Sequence, residues 1–429
     1  MSLFYFLLII AVAAYGLLAW QNLRLALGVL IALLPTYLIR FSILSIPFTL
    51  LEAFLILALL SWILHTVHRD ETKRRQAGGV LESPLPLTPM ALILLAATIG
   101  IFVADDALGA LGVWKAYFVE PVLIFVILRS VFKKREDSEF GFQALCVSGI
   151  LLSLFASIQY FTGAGIPTPW DIELRVTSVF DYPNALGLYL GPIVAAAAVL
   201  FVRDGGRKRD FKITTPDPSL KRRGGSALYL ATILLGGTAI VLAETEAAYF
   251  AIPGALVLTL LFSSAKKQLK IGVLTASIVL LAILIAVVPI AREKLFLQDY
   301  SGEVRLSLWS ETMEMLQSRQ LLGAGLNGFP EALEPFHDPT YFELFQYPHN
   351  IVLNIWSELG LLGILAVLWL GVILFKTLRT RNEDPLVLAA SAALLVMVIH
   401  GLVDVPYFKN DLATMTWIFI GMMYVPKKK

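Results

Sequence analysis

An all-α bundle of transmembrane helices is the fold this sequence predicts, on three observations. The 429 residues are 58% hydrophobic and 15% charged, with a mean hydropathy of +0.76, whereas soluble domains carry about a quarter charged residues. Near-continuous apolar runs of roughly 17–25 residues recur along the whole chain, each long enough to cross a ~30 Å hydrocarbon core as a helix. The cations, finally, are concentrated on alternate connections between those runs.

Taken in order, the runs fall at about 3–19, 24–39, 48–64, 89–103, 116–132, 142–162, 185–202, 227–243, 248–264, 271–290, 351–375, 386–403 and 411–426. They make about 12–13 spans in one integral membrane domain covering 1–429. The first has no basic residue ahead of it, the earliest cation being Arg24. It therefore lacks the n-region of a cleavable signal and is expected to be a retained helix.

Sidedness follows from the cations. One side holds Arg24, the Arg69–Arg75 group, Arg129, Lys133–Arg135, the run from Arg203 to Arg223, Lys266–Lys270, Lys376–Arg381 and the terminal lysines. Together these are 26 of the 34 Lys and Arg, which marks that side as cytoplasmic. The Gly-, Pro- and Lys/Arg-rich stretch 203–226 is expected to be a basic cytoplasmic loop touching anionic headgroups. The opposite side keeps eight cations: Arg40, Lys115, Arg175, Arg292, Lys294, Arg305, Arg319 and Lys409. The lone Cys146 falls inside a span, so no disulfide framework or cysteine metal site is expected.

Two outer segments exceed ordinary hairpin length: 162–184, and the large loop 291–350. Arg305–Arg319 within the second reads as an amphipathic helix with Leu308, Met315 and Leu316 toward apolar surroundings and Glu311, Glu314 and Arg319 toward water. Gly323 and Gly325 in the following Leu321–Phe329 stretch permit tight turns and close backbone approach. The outer acids show no compact spacing that would specify a metal site.

Chemistry is therefore sought in this loop and at its edges. His349 stands immediately before the apolar run that begins at Ile351, half-wet and rigidly held, which suits an imidazole exchanging a proton near neutral pH. The competing account is that His349 and Asn350 only cap the helix. Arg175, Arg292 and Arg305 lie on the side where arginine is costly without a partner. Several converging guanidinium forks could hold a diphosphate without a metal, while ion pairs to Glu173, Glu293 or Glu303 would explain them equally well. Trp356, seven residues on from His349, falls near the same helix face and could meet a sugar ring or lipid. Glu358, nine residues on, lies about 180° round an uninterrupted helix. It is expected to anchor the helix against a polar neighbour rather than to form a dyad with His349.

These residues resemble the O-antigen ligase and polymerase family of bacterial envelope glycan enzymes. His349–Gly363 is similar to the family's His-Asn block followed by Glu-x-Gly. Arg305 to Trp309 with Leu322–Gly325 resembles its Arg-to-Trp and Gly-x-Gly stretch, and Arg175–Thr177 with Asp181–Asn184 resembles an outer-loop motif leading into a span. Arg292 matches an arginine placed after the preceding helix. The likeness covers roughly 150 to 425, and it departs at Glu244–Ala247, where many relatives carry a Ser-Arg or Thr-Arg pair.

What the resemblance implies is a multi-pass inner-membrane enzyme of lipopolysaccharide biosynthesis with its active site facing the periplasm. Its donor would be a glycan linked through diphosphate to undecaprenol, and its acceptor a hydroxyl on a saccharide or lipid-linked partner, with membrane lipids around it. No cofactor, metal or nucleic acid is implied. His349 would be the general base; Arg175, Arg292 and Arg305 would bind the diphosphate; Asn184, Asn350, Trp356, Glu358, Gly323 and Gly325 would support them. Ligase and polymerase activities stay open, as do a transporter or flippase and a noncatalytic assembly partner. A transporter would concentrate ionisable groups at mid-membrane, often in repeated halves, whereas these cluster at one interface.

Overall fold

The computed structural model describes residues 3–43, 46–67, 85–205, 218–338, 340 and 344–424. Its helices, in chain order, are α1 (Leu3–Gln21), α2 (Leu23–Ala32), α3 (Leu50–Val67), α4 (Leu87–Val103), α5 (Ala107–Val131), α6 (Arg135–Thr162), α7 (Pro183–Gly205) and α8 (Pro218–Leu242). They continue as α9 (Glu246–Phe262), α10 (Lys267–Val287), α11 (Pro289–Leu295), α12 (Tyr300–Ser318), α13 (Phe329–Leu333), α14 (Ile351–Thr380), α15 (Pro385–His400) and α16 (Asn410–Met423). Among the described residues seven helices are long and apolar enough to cross a membrane, and five shorter apolar helices accompany them. The architecture is the polytopic all-α bundle that hydropathy predicts.

Two expected elements differ. The run at 24–39 is not one helix: α2 stops after ten residues, about 15 Å of rise, and a 3₁₀ turn with Pro35 at its start carries the chain into a short antiparallel hairpin of Arg40–Ile43 (β1) and Ile46–Thr49 (β2). The basic stretch 203–226 is shorter as a connection than expected, because α7 continues to Gly205 and α8 begins at Pro218. Residues 206–217 lie outside the described residues.

Helix irregularities have local causes. Within α5 a π turn at Trp114–Val119 precedes Pro121. Proline has no N–H to offer the Tyr117 carbonyl four residues back, and the Tyr407 hydroxyl donates to that oxygen at 2.8 Å instead. In α14 the helix breaks at Gly360 (φ 64°, ψ −166°). A side chain there would meet the Leu321 carbonyl at 2.3 Å, so the break is where the 321–325 loop threads against the helix.

Charge pairing gathers the cation-rich ends on one face. Arg24 pairs with Asp137 at 2.6 Å, Arg135 with Asp384 at 2.7 Å, Arg381 with the same Asp384 at 2.6 Å, and Arg203 with Glu139 at 2.8 Å. The 291–350 loop builds a small core of its own, in which Leu308, Met315 and Leu316 of α12 pack with Phe329 and Leu333 of α13 and with Trp356 of α14. Glu311 departs from the expected wet face. It is buried, accepts from the Ser307 hydroxyl at 2.9 Å and stands 3.2 Å from Nδ1 of His337.

Candidate functional site: a histidine–aspartate pair at the head of α14

His349 occupies a left-handed backbone conformation, φ 47°, one residue before the cap of α14. Such a conformation is costly for a non-glycine residue and persists only where neighbours hold it. Trp309 of α12 donates its indole N–H to the Pro348 carbonyl at 2.9 Å. Asn350 caps α14 by accepting from the Val352 and Leu353 amides. Capping thus belongs to Asn350 alone, and it leaves the His349 ring free to turn elsewhere. That ring lies edge-on between Phe345 and Tyr347, at centroid distances of 5.2 and 4.9 Å.

The ring turns toward Asp404. Nδ1 of His349 is shielded from solvent and lies 3.5 Å from Oδ1 of Asp404, longer than an ordinary hydrogen bond but within ion-pair range. The Asp404 side chain is 3% exposed and that of His349 21%. Burial alone would push the Asp404 carboxyl up; the His349 ring, the charge of His400 and the Val405 N–H outweigh it and bring the group down to about 2. A carboxylate with that value is ionised throughout the physiological range.

Three successive carbonyls hold the Asp404 loop in place. Gly401 accepts from the Ile351 amide at 2.7 Å, Leu402 from the Asn350 side-chain amide at 3.0 Å, and Val403 from Nε of Arg305 at 3.0 Å. Arg305 also donates from Nη1 to the Ser301 carbonyl at 3.1 Å. The head of α14, α12 and the α15–α16 connection are thereby locked into one unit around the imidazole.

The 181–184 segment joins from another side. Tyr182 and Tyr347 share a hydroxyl–hydroxyl contact of 3.2 Å. Burial, helped by the charge of Asp404, pushes the Tyr347 hydroxyl up to about 12, so it remains a donor. Lys409 places its ammonium 4.0 Å from the centre of the Tyr182 ring. Asn184 lies in the first turn of α7.

Among the described residues Arg175, Arg292 and Arg305 share no partner. Arg175 stacks on Trp170 at 5.0 Å, reaches the Ala243 and Glu244 carbonyls at 3.3–3.5 Å and stands 3.7 Å from the Glu244 carboxylate. Glu246 pairs with Lys294 at 3.1 Å. The two acids at 244 and 246 thus answer one cation each. Arg292 is exposed on α11, without a side-chain partner among the described residues.

Of the supporting residues, Trp356 donates its indole N–H to the Gln320 carbonyl at 2.7 Å, and Glu358 accepts from the Asn327 amide at 2.7 Å. Gly323 (φ 69°) and Gly325 (φ 82°) let the loop pass within contact of the α14 and α4 backbones, joined by Ala324 N–H to Ser357 O at 2.6 Å and Leu326 N–H to Gly100 O at 3.1 Å. Among the described residues no group of three or more His, Cys, Asp or Glu could hold a metal ion.

Residues 231–368 match the O-antigen ligase family model. Over that stretch, about a third of its length, the chain is similar to the O-antigen ligase family. The matched segment is narrower than the stretch over which the motifs resemble the family. It runs from α8 through the break in α14, taking in Arg292, Arg305, the glycine loop, His349, Asn350, Trp356 and Glu358. Arg175, Asn184, Asp404 and Lys409 lie beyond it. No curated protein matches the chain. That likeness, in a multi-pass membrane protein, supports glycosyl transfer of the ligase or polymerase type in general.

Asp404 is absent from the motif reading, yet one signal for it is visible in the sequence. It is a carboxylate between two apolar runs at a membrane boundary, the same cost argument that singled out Glu358.

Proposed function

We propose that this protein moves a glycan from an undecaprenyl-diphosphate-linked donor to an acceptor hydroxyl at the periplasmic face of the inner membrane, with inversion and without a metal. The observation that carries the reading is the His349–Asp404 pair, whose loop is clasped by Arg305 through Val403. With Nδ1 turned to a carboxylate, the proton-accepting position of the imidazole is Nε2. Nε2 takes the acceptor's proton as the acceptor oxygen attacks the anomeric carbon. The bond from that carbon to the diphosphate oxygen breaks, and the lipid diphosphate leaves with the electron pair. Asp404 stabilises the imidazolium that forms.

Arg305 has Nε and Nη1 committed to carbonyls, which leaves Nη2 to meet charge on the leaving group. Arg292, exposed on α11, and Arg175, already tied to the 243–244 turn, would flank the diphosphate; Asn184, Asn350, Trp356, Glu358, Gly323 and Gly325 position the surrounding backbone. The acceptor, saccharide or lipid-linked, decides between ligation and polymerisation.

The test is a membrane assay with lipid-diphosphate glycans, scored for a longer lipid-linked chain against a glycan moved to a new acceptor. His349→Ala should cut turnover by about 10²–10⁴-fold, with stability and donor binding retained. His337→Ala should cost far less, because its Nδ1 faces the buried Glu311 rather than Asp404. Arg305→Lys should be damaging despite keeping its charge, since an ammonium cannot span Val403, Ser301 and a phosphate at once. Turnover should persist in EDTA. Near wild-type turnover in His349→Ala would remove the base assignment.

A further inference from the structure

Lys409 is an outer-side cation that nothing above employs, half-buried and without an ion-pair partner among the described residues. It caps α16 at its N-terminus, where the helix dipole disfavours positive charge. Burial pulls the ammonium below its ordinary value, while Asp411, Asp404 and Asp181 pull the other way. None of these acids is within ion-pair distance. Among the described residues no side chain accepts a hydrogen bond from Nζ; the half-buried ammonium rests on the face of the Tyr182 ring with its donors open to solvent or to a ligand.

The surroundings indicate what the ammonium meets. Tyr182 touches Tyr347, and the Tyr347 ring packs against His349, which puts Lys409 in the same contiguous set as the proposed base. The residues just before it, Tyr407 and Phe408, line a cavity of about 200 Å³ together with Ile351, two residues after His349. The cavity walls are apolar and continue along α14 past Leu359 to Leu370. A cation that follows directly in the chain on two residues of an apolar wall is complementary to a lipid with an anionic head.

We propose that Lys409 is a substrate-binding residue of this site, its ammonium seated on the Tyr182 ring and taking an oxyanion of the donor's lipid diphosphate. This deepens the function proposed above and rests on it. A lysine fills the role because a compact ammonium on a flexible stem can follow a phosphate as it departs, where a planar fork already bound to carbonyls cannot.

Binding, rather than turnover, separates the two propositions. Undecaprenyl diphosphate, undecaprenol and a uronate-bearing oligosaccharide are titrated into the detergent-solubilised full chain, into Lys409→Met and into Lys409→Arg, with thermal stability followed in parallel. Lys409→Met should weaken undecaprenyl diphosphate by about 10- to 100-fold, the scale of one charged hydrogen bond, and leave undecaprenol unchanged. Lys409→Arg should recover most of the loss. Should Lys409→Met not fold, Lys409→Gln carries the same comparison. Equal weakening for the diphosphate and the alcohol would make Lys409 structural and overturn the inference, as would unchanged diphosphate affinity. A loss confined to the uronate would move the oxyanion to the acceptor and also overturn it. Failure of the wild-type chain to bind undecaprenyl diphosphate would instead remove the donor assigned above.

Discussion

Replacing Asp404 by Asn removes the charge facing His349 while keeping the oxygen that accepts from the Val405 amide at 2.8 Å. Two unit charges 3.5 Å apart interact by about 5 kcal/mol at an effective dielectric of 20. The His349 side chain is 21% exposed, and screening through that opening reduces the figure to roughly 2–3 kcal/mol. Asp404 is set against imidazolium only once His349 has taken the proton, so the loss should fall on the transition state. It should lower turnover by about 30- to 100-fold at about 1.4 kcal/mol per decade. The assay is single-turnover glycan transfer in a double-mutant cycle with His349→Ala. If Asp404 acts through the imidazole, Asp404→Asn should cost little or nothing once His349 is Ala, giving a coupling close to the whole single-mutant effect. Equal losses in both backgrounds would refute the pairing. Unchanged turnover in Asp404→Asn would refute any role for the carboxylate.

Two further predictions concern structure rather than turnover. Gly323→Ala places a methyl 2.3 Å from the Ser357 carbonyl at φ 69°, so it should cost upwards of about 2 kcal/mol and lower the thermal midpoint. Gly237→Ala, with nothing within 4 Å, should be neutral; equal midpoints would refute the close-approach argument. In the 291–350 loop, burial opposes the charges of Asp299 and Lys294, but their 2.8 Å pairing, joined at Lys294 by Glu246 at 3.1 Å, prevails and leaves Asp299 below and Lys294 above its ordinary value. The contribution of Asp299 is complete above its unfolded value of about 4 and fades as pH falls through the lower folded value; that of Lys294 is complete below about 10.4 and fades as pH rises through the higher one. Limited proteolysis near Ala291–Ser301 should therefore increase at both extremes. Lys294→Met should be more susceptible than wild type between them, and an identical digestion profile would dismiss the pair as a restraint.

The sequence by itself determined the bundle, because a bilayer imposes a one-dimensional demand: each crossing must be apolar over a set length and satisfy its own backbone. It also indicated which helix ends share a face, since cations on alternate connections pair with acids at neighbouring helix ends, Arg24 with Asp137 and Arg135 with Asp384. His349 was legible for a similar reason, being a titratable residue at the edge of a span. Tertiary structure decided its partner. Asp404 reaches the imidazole only because the Gly401, Leu402 and Val403 carbonyls accept from Ile351, Asn350 and Arg305, donors on two different helices. The arginines show the same divide: their sidedness follows from counting, but which guanidinium donors are left to offer, Nη1 at Arg175 and Nη2 at Arg305, depends on which carbonyls the fold brings to them. Local periodicity carries no information about such long-range hydrogen bonds, because they arise where separately specified helices pack, and their geometry belongs to the packing.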